Sequence, residues 1–284
     1  MSILTGTTRG SVPPRVPPRG PLRTIRKYGA VTRTAMQNTA VYTRSFLFRS
    51  LFFCLILFMF LQLWEKVTGE KGGIAGYTMN RLLWYYTIAE IVTLTRSDIM
   101  ERLNTDIRSG DVAIQLLRPY HYLGSLYADA AGQIALRLAI NVPVGCLTAL
   151  VLVGPLEGFR LVHLPFMMLS VLLGLLLCLA TEALIGLTVF WTEDNTAFWW
   201  ISQKLAFMLG LFLPLEMLPG WLRQIAVFLP YPYMMYAPAR LTSSFTWAQC
   251  AWLLPVQALY AAVLLATGML VYRNGSKGVQ HNGG

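Results

Sequence analysis

Apolar residues along the chain are gathered into blocks about as long as the 20 or so residues a helix needs to cross a bilayer. They do not form the one-sided stripes of a soluble helical protein. Six blocks separate at about 46–65, 77–95, 129–153, 164–191, 197–213 and 249–272. The second is the least clean, because it carries Arg81 and Glu90. Pro143 predicts a kink in the third, and Gly154-Pro155 closes it. Polar breaks follow the first block (Glu65, Lys66, Glu70, Lys71) and the fourth (Glu193-Asp194-Asn195). Residues 214–246 are apolar but carry Pro214, Pro219, Pro230, Pro232 and Pro238, so they cannot form a single helix. The pattern predicts an all-α polytopic membrane protein with six transmembrane helices spread over residues 46–272.

Composition agrees: 55% of the 284 residues are hydrophobic, 13% are charged, and the mean hydropathy is +0.52. Charge then orients the chain. The net charge of +10 is concentrated before or at the edge of the first block, in Arg9, Arg15, Arg19, Arg23, Arg26, Lys27, Arg33, Arg44 and Arg49, with no acidic residue before Glu65. Beside a membrane span such a cluster reads as a positive-inside signal and an anionic-lipid contact. No aromatic-interleaved basic module follows it, which argues against a nucleic-acid partner. Six spans and a cytoplasmic leader put both termini inside, with 96–124 cytoplasmic and 214–246 external. The external side also carries Lys66, Lys71, Arg160, Arg223 and Arg240, so the orientation rests mainly on the leader. Residues 1–21, rich in Pro, Gly and Arg, read as a disordered cytoplasmic leader rather than a transit or signal peptide. Residues 22–45 read as an amphipathic interfacial helix, and 273–284 as a cytoplasmic tail. The four cysteines lie far apart and form no CxxC pair, so they indicate neither a zinc site nor a disulfide framework.

Residues 97–108 place apolar positions at helical spacing with charges between them, and Ser97 or Asp98 is available as a cap. Ser109-Gly110-Asp111 then reads as a turn and a cap, followed by a short helix, Val112 to Leu117, stopped by Arg118-Pro119. A helix, turn and short helix held below the membrane form either a rigid knob for a soluble motor to push or an ordinary amphipathic loop resting on lipid.

Particular residues favour the knob. Tyr42-Thr43-Arg44, Leu63-Trp64 with Gly76-Tyr77-Thr78, and Trp84-Tyr85-Tyr86 are followed by the most specific stretch, Ile107 to Asp111 through Leu116 to Pro119. Pro214 to Pro219, Leu229-Pro230-Tyr231 and Tyr236-Ala237-Pro238 complete the set. On these residues the chain resembles the type-2 ABC permease family over about 40–272, in particular its small six-span members that often work as paired, non-identical subunits. The resemblance implies a coupling helix that docks on an ATPase, drawn here from Ile107, Arg108, Gly110, Asp111, Ile114, Leu116, Leu117, Arg118 and Pro119. It also implies external re-entrant helices or a gate at Pro214, Glu216, Pro219, Pro230, Tyr231 and Pro238. The implied partners are two ABC ATPase subunits, a second permease subunit and membrane lipids, in a bacterial inner membrane. No G-x-x-x-x-G-K-[ST] phosphate loop occurs, so on this resemblance ATP and Mg are held by the partner ATPase and this chain binds no cofactor. The long basic leader departs from the family pattern.

Charges within the blocks are the other candidate chemistry. Arg81, Asp129 and Glu216 fall near block ends, where they can reach the interface. Glu182 lies deeper, with Gly174 and Gly186 permitting close helix approach. Glu182 reads either as a pathway residue with Arg137 or Lys204 as partner, or as half of a structural buried pair. Phe198-Trp199-Trp200, Trp247 and Trp252 suit interfacial belts. Tyr231, Tyr233, Met234, Met235 and Tyr236 suit an external lip. His121, His163 and His281 are widely separated, no catalytic motif or metal-ligand cluster occurs, and an integral membrane enzyme is accordingly the weaker reading. An ion-coupled secondary transporter would call for internal duplication, which is not evident. A pure scaffold would need no coupling helix.

Overall fold

The computed structural model describes residues 21–41, 43–69, 73–116, 121–192 and 194–282. The leader up to residue 20, Tyr42, the polar-loop residues Glu70 and Lys71, Glu193, and Leu117, Arg118 and Pro119 lie outside these residues.

Helix α1 (Pro21–Val41) is bound to protein along one side. Its Thr32 hydroxyl donates to the Ala128 carbonyl at 2.9 Å, Ala35 is buried, and a Cβ on Gly132 would lie 2.3 Å from the Thr32 carbonyl oxygen. Small residues thus bring two helix backbones into contact, while Arg26, Lys27 and Arg33 stay exposed. Helix α2 (Thr43–Thr68) follows. Next comes an antiparallel hairpin, β1 (Gly73–Ile74) and β2 (Tyr77–Thr78), where the sequence pattern predicted only a loop and the start of a span. Its turn residues Ala75 and Gly76 have φ of 51° and 84°. Both are left-handed, as the tight hairpin turn that matches strand twist requires.

Helix α3 (Met79–Thr95) is capped by the Thr78 hydroxyl, which accepts from the Arg81 amide at 3.3 Å. Helices α4 (Ile99–Arg108) and α5 (Asp111–Leu116) precede α6 (Tyr122–Val153). Helix α6 begins well before the predicted 129 because the His121 ring caps it, accepting from the Gly124 amide at 3.3 Å. It runs through Pro143 and ends at Gly154, whose φ is 79°. Helix α7 (Leu164–Leu187) is flanked by short 3-10 turns. Helix α8 (Thr196–Ala206) passes into a π turn, Phe207–Phe212. The proline-rich stretch divides as expected, into a 3-10 turn (Leu215–Met217), α9 (Gly220–Ala226) and α10 (Tyr231–Ser243). Helix α11 (Trp247–Asn282) continues past 272, so the predicted tail begins as helix.

Among the described residues four helices are long and apolar enough to cross a membrane, at Phe48–Val67, Tyr122–Val153, Leu161–Phe190 and Trp247–Ser276. The other two predicted spans are α3 and α8 with its π turn. The 17 residues of α3 rise about 25 Å, slightly less than a hydrocarbon core of about 30 Å. Helix α3 is an internal helix: Tyr85 and Tyr86 are fully buried, and their hydroxyls donate to the carbonyls of Gly210 and Phe212 at 2.8 and 3.0 Å. Those carbonyls end the π turn, where no further helical turn exists to bond them.

Helix α10 is buried along nearly its whole length, which corrects the predicted lip: Tyr233, Met234, Met235 and Tyr236 face protein, and only Tyr231 is half-buried. Gly174 admits it, since a Cβ there would lie 2.4 Å from the Met234 carbonyl oxygen. The buried Gln257 of α11 then ties three helices together. Its amide donates to the carbonyls of Ser170 (3.1 Å) and Tyr233 (2.8 Å) and accepts from the Ser170 hydroxyl (2.8 Å). One end of the bundle gathers α1, α4, α5, the start of α6, the end of α7 and the far end of α11, where Tyr272 stacks on Tyr122 and Gly275 meets Phe190. The hairpin, the 154–163 loop and the 213–230 segment occupy the other.

Candidate functional site

Helix α4 presents Ile99, Met100 and Leu103 on one face, all buried, with Leu103 fully enclosed. Burying such a side chain contributes about 1.5–3 kcal/mol. The face lies on the last turns of α7, where Gly186 leaves room: a Cβ there would meet Leu103 at 2.9 Å. Polar bridges fasten the other sides of α4. Arg102 pairs with Asp129 of α6 at 2.6 Å, and the Tyr122 hydroxyl donates to Asp106 at 2.8 Å. Asn104 donates to the buried Asn195 at 2.8 Å, and Arg108 pairs with Asp194 at 3.1 Å, both in the α7–α8 turn. The Asp194 carboxylate also accepts from the Thr196 hydroxyl and amide, at 2.6 and 2.9 Å. These bonds, with Arg108 nearby, hold its carboxyl below the usual range, so it stays ionised.

Gly110, at φ 77°, turns the chain out of α4. The Ser109 hydroxyl donates to the Asp111 carboxylate at 2.8 Å, and Val112 is buried while Asp111 and Ile114 are exposed. Ile107 packs in the small apolar core around Leu103. Leu116 closes α5. The predicted helix–turn–short helix is therefore present, with an apolar tip at Ile114 on a firmly anchored base.

The anchor extends into the bundle through the linker Arg96-Ser97-Asp98. Glu182 of α7 pairs with Arg96 at 3.7 Å, and both side chains are nearly buried. Arg96 also donates to the Gln203 side chain of α8. Arg137 of α6 donates to the Arg96 carbonyl and pairs with Asp98 at 2.5 Å. Asp98 is consequently spent on Arg137, and no side-chain cap of α4 comes from it. The expected partners of Glu182 are thus corrected. Arg137 stands beside the pair without being its counter-ion, and Lys204 is exposed, its ammonium 5.5 Å from the Trp200 ring. The reason is reach: the end of α3 delivers Arg96 to the last third of α7, at Glu182, five residues before that helix ends at Leu187. A cavity of about 400 Å³ opens beside the pair, lined by Arg49, Trp199, Trp200, Gln203, Glu101 and the paired residues. Trp199 and Trp200, read from the sequence as interfacial anchors, thus also line this cavity.

At the opposite end Glu216 is similarly built in. It accepts from the Tyr236 hydroxyl (2.8 Å) and the Tyr77 hydroxyl (3.3 Å), and it pairs with Arg240 at 3.2 Å. Arg240 also lies over the Tyr77 ring, 4.9 Å from its centre. Burial chiefly, and then the Glu216 charge, push the Tyr77 hydroxyl up, which keeps it a donor. Pro214 is buried, Pro219 and Pro230 precede α9 and α10, and Pro238 lies inside α10. Glu216 thus joins the hairpin to α10 and does not reach out to the interface. Arg81 does remain near the surface, paired with Glu157 at 3.5 Å.

Sequence reasoning missed Arg96, Asp98 and Gln203 around Glu182, and the Asn104–Asn195 bond. Two charges bracketing a serine where an apolar block ends were the available signal for the first two. A comparison with known families matches residues 51–283 to the ABC-2 family of transporter proteins. No curated protein matches the sequence. With that match spanning all but the first fifty residues and the last, and with helices long and apolar enough to cross a bilayer, the chain belongs to the ABC-2 transporter family, as an integral membrane permease.

Proposed function

We propose that this chain is a permease subunit of an ATP-driven exporter that takes its power from a separate ATPase docked on α4–α5. The observation that carries the reading is the exposed Ile114 and Asp111 tip on a base fixed to three helices. Its anchors are the Leu103 face on α7 and the bridges Arg102–Asp129, Tyr122–Asp106, Asn104–Asn195 and Arg108–Asp194. A push on the tip is not absorbed locally, because the side of α4 opposite the exposed Glu101 and Thr105 is tied to α6, α7 and the α7–α8 turn. The displacement passes to the ends of α6, α7 and α8. Through the Arg96–Ser97–Asp98 linker it also reaches Glu182, whose pair with Arg96 is long enough, at 3.7 Å, to be exchanged for another partner. Glu182, Arg137 and the cavity beside them form the inner mouth of the pathway. Glu216, Pro214, Pro219, Pro230, Tyr231 and Pro238 form the outer closure, with α9 and α10 re-entrant from outside.

On this reading α3 and α8 complete six crossings, with both termini in the cytoplasm of a bacterial cell whose plasma membrane holds the complex. The basic exposed side of α1 and the gathering of α1 and the far end of α11 at the α4–α5 end support that orientation. Two ATPase subunits hold Mg and ATP, and a second permease subunit, non-identical to this one, completes the complex. The test is purification of the complex from its native membrane. A nucleotide-binding chain should accompany the wild type and be lost from Ile114→Asp and Asp111→Lys, both surface changes on a folded base. Undiminished association in both variants would remove α4–α5 as the docking element.

A further inference from the structure

We propose that the slot between α6 and α7 is a binding site for an acyl chain of an anionic phospholipid. The two helices are consecutive, yet each is drawn to a different neighbour. Gly145 presses α6 onto Phe53 and Ile91, a Cβ there lying 2.7 Å from the Phe53 ring, whereas Gly174 presses α7 onto α10. They diverge, and the space between them stays open. It consists of a cavity of about 430 Å³ and a cleft of about 630 Å³ that share Leu138, Val142, Met168 and Leu172, so the two form one groove. Trp84 and Ile88 of α3 line the first of them. The walls are almost wholly apolar, and Met168 and Leu172 are each at least half exposed in the chain alone. Within a bilayer hydrocarbon covers such a surface without leaving polar groups unpaired.

Charge selects the headgroup. Phe159 lines the outer end of the groove, and the next residue, Arg160, is exposed with no acidic partner among the described residues. A guanidinium at that level suits a phosphate, which it can bind with two parallel hydrogen bonds. An anionic headgroup is favoured over a zwitterionic one, whose ammonium offsets the phosphate charge. The site does not depend on ATP coupling, only on the chain being embedded in a membrane.

The experiment reconstitutes the full complex in phosphatidylcholine vesicles containing a minor fraction of phosphatidylglycerol with a photoactivatable acyl chain, and maps the cross-linked peptides. Adducts should concentrate on the α6 and α7 residues of the groove. Leu172→Trp, which fills it, should remove them. Arg160→Gln should lower them about tenfold, the equivalent of about 1.4 kcal/mol of binding. Unlabelled phosphatidylglycerol should compete and added phosphatidylcholine should not, a comparison that needs no variant to fold. Adducts spread evenly over the exposed faces of α2 and α11 would overturn the proposal, reducing the groove to ordinary boundary lipid. So would a groove free of adducts because a second permease chain covers it.

Discussion

Arg96 and Glu182 are the pair on which the interior charge balance at the α4–α5 end turns. Removing one member of a buried pair strands the other, at a cost of about 3–5 kcal/mol. Arg96→Ala should therefore lower the melting temperature of the purified protein in detergent markedly. Glu182→Gln, which keeps shape and hydrogen-bonding capacity, should be milder in stability yet alter transport or subunit assembly. Wild-type melting together with wild-type transport in both variants would assign the pair no role. Glu182 was legible in the sequence because a carboxylate inside an apolar block is costly and conspicuous. Its partner was not legible. Arg96 stands far from it in the chain, in a linker with no periodicity, and the match depends on where α3 ends against α7. Lys204, closer in sequence, points away to Trp200.

Glycine contacts decide how the helices sit. Gly174→Ala would drive a Cβ into the Met234 carbonyl, and overpacking of this kind costs about 1–3 kcal/mol. The expected result is a lower yield of folded protein and earlier thermal unfolding, because the main-chain atom it meets cannot rotate aside. Gly132→Val does the same to the Thr32 carbonyl and should free α1 from α6. Faster tryptic cleavage at Arg26 and Lys27, with the membrane core intact, is the measurement that checks it. Much at this level could be read beforehand: the α4–α5 unit from apolar spacing and the Ser109-Gly110-Asp111 turn, the broken 214–246 stretch from its prolines, and close approach at Gly174 and Gly186. The hairpin escaped because two-residue strands carry no alternation and an Ala-Gly turn lacks the usual asparagine. The burial of α10 escaped because aromatic and methionine residues suit an outer lip and an interior equally. The π turn in α8 left no mark in the pattern, since it arises where Tyr85, Tyr86 and α10 meet its carbonyls and Gly210.

At the scale of the molecule, the four long apolar helices found among the described residues surround a centre made of α3, α10 and the α8 turn, and polar networks close both ends. The Glu216 network locks the hairpin end, while the other end hangs on bridges to α4 and to the Arg96-Ser97-Asp98 linker before it. On the proposed coupling, force entering at Ile114 passes to α6, α7 and the α7–α8 turn. The most direct measurement uses Ile114→Cys in the assembled complex, treated with a short thiol-to-amine cross-linker, with Leu222→Cys at the opposite end as comparison. The account predicts cross-linking of the nucleotide-binding chain at position 114 and none at position 222. Cross-linking at position 222, or a transport-competent complex in which position 114 reacts only with reagents added from outside the cell, would contradict it.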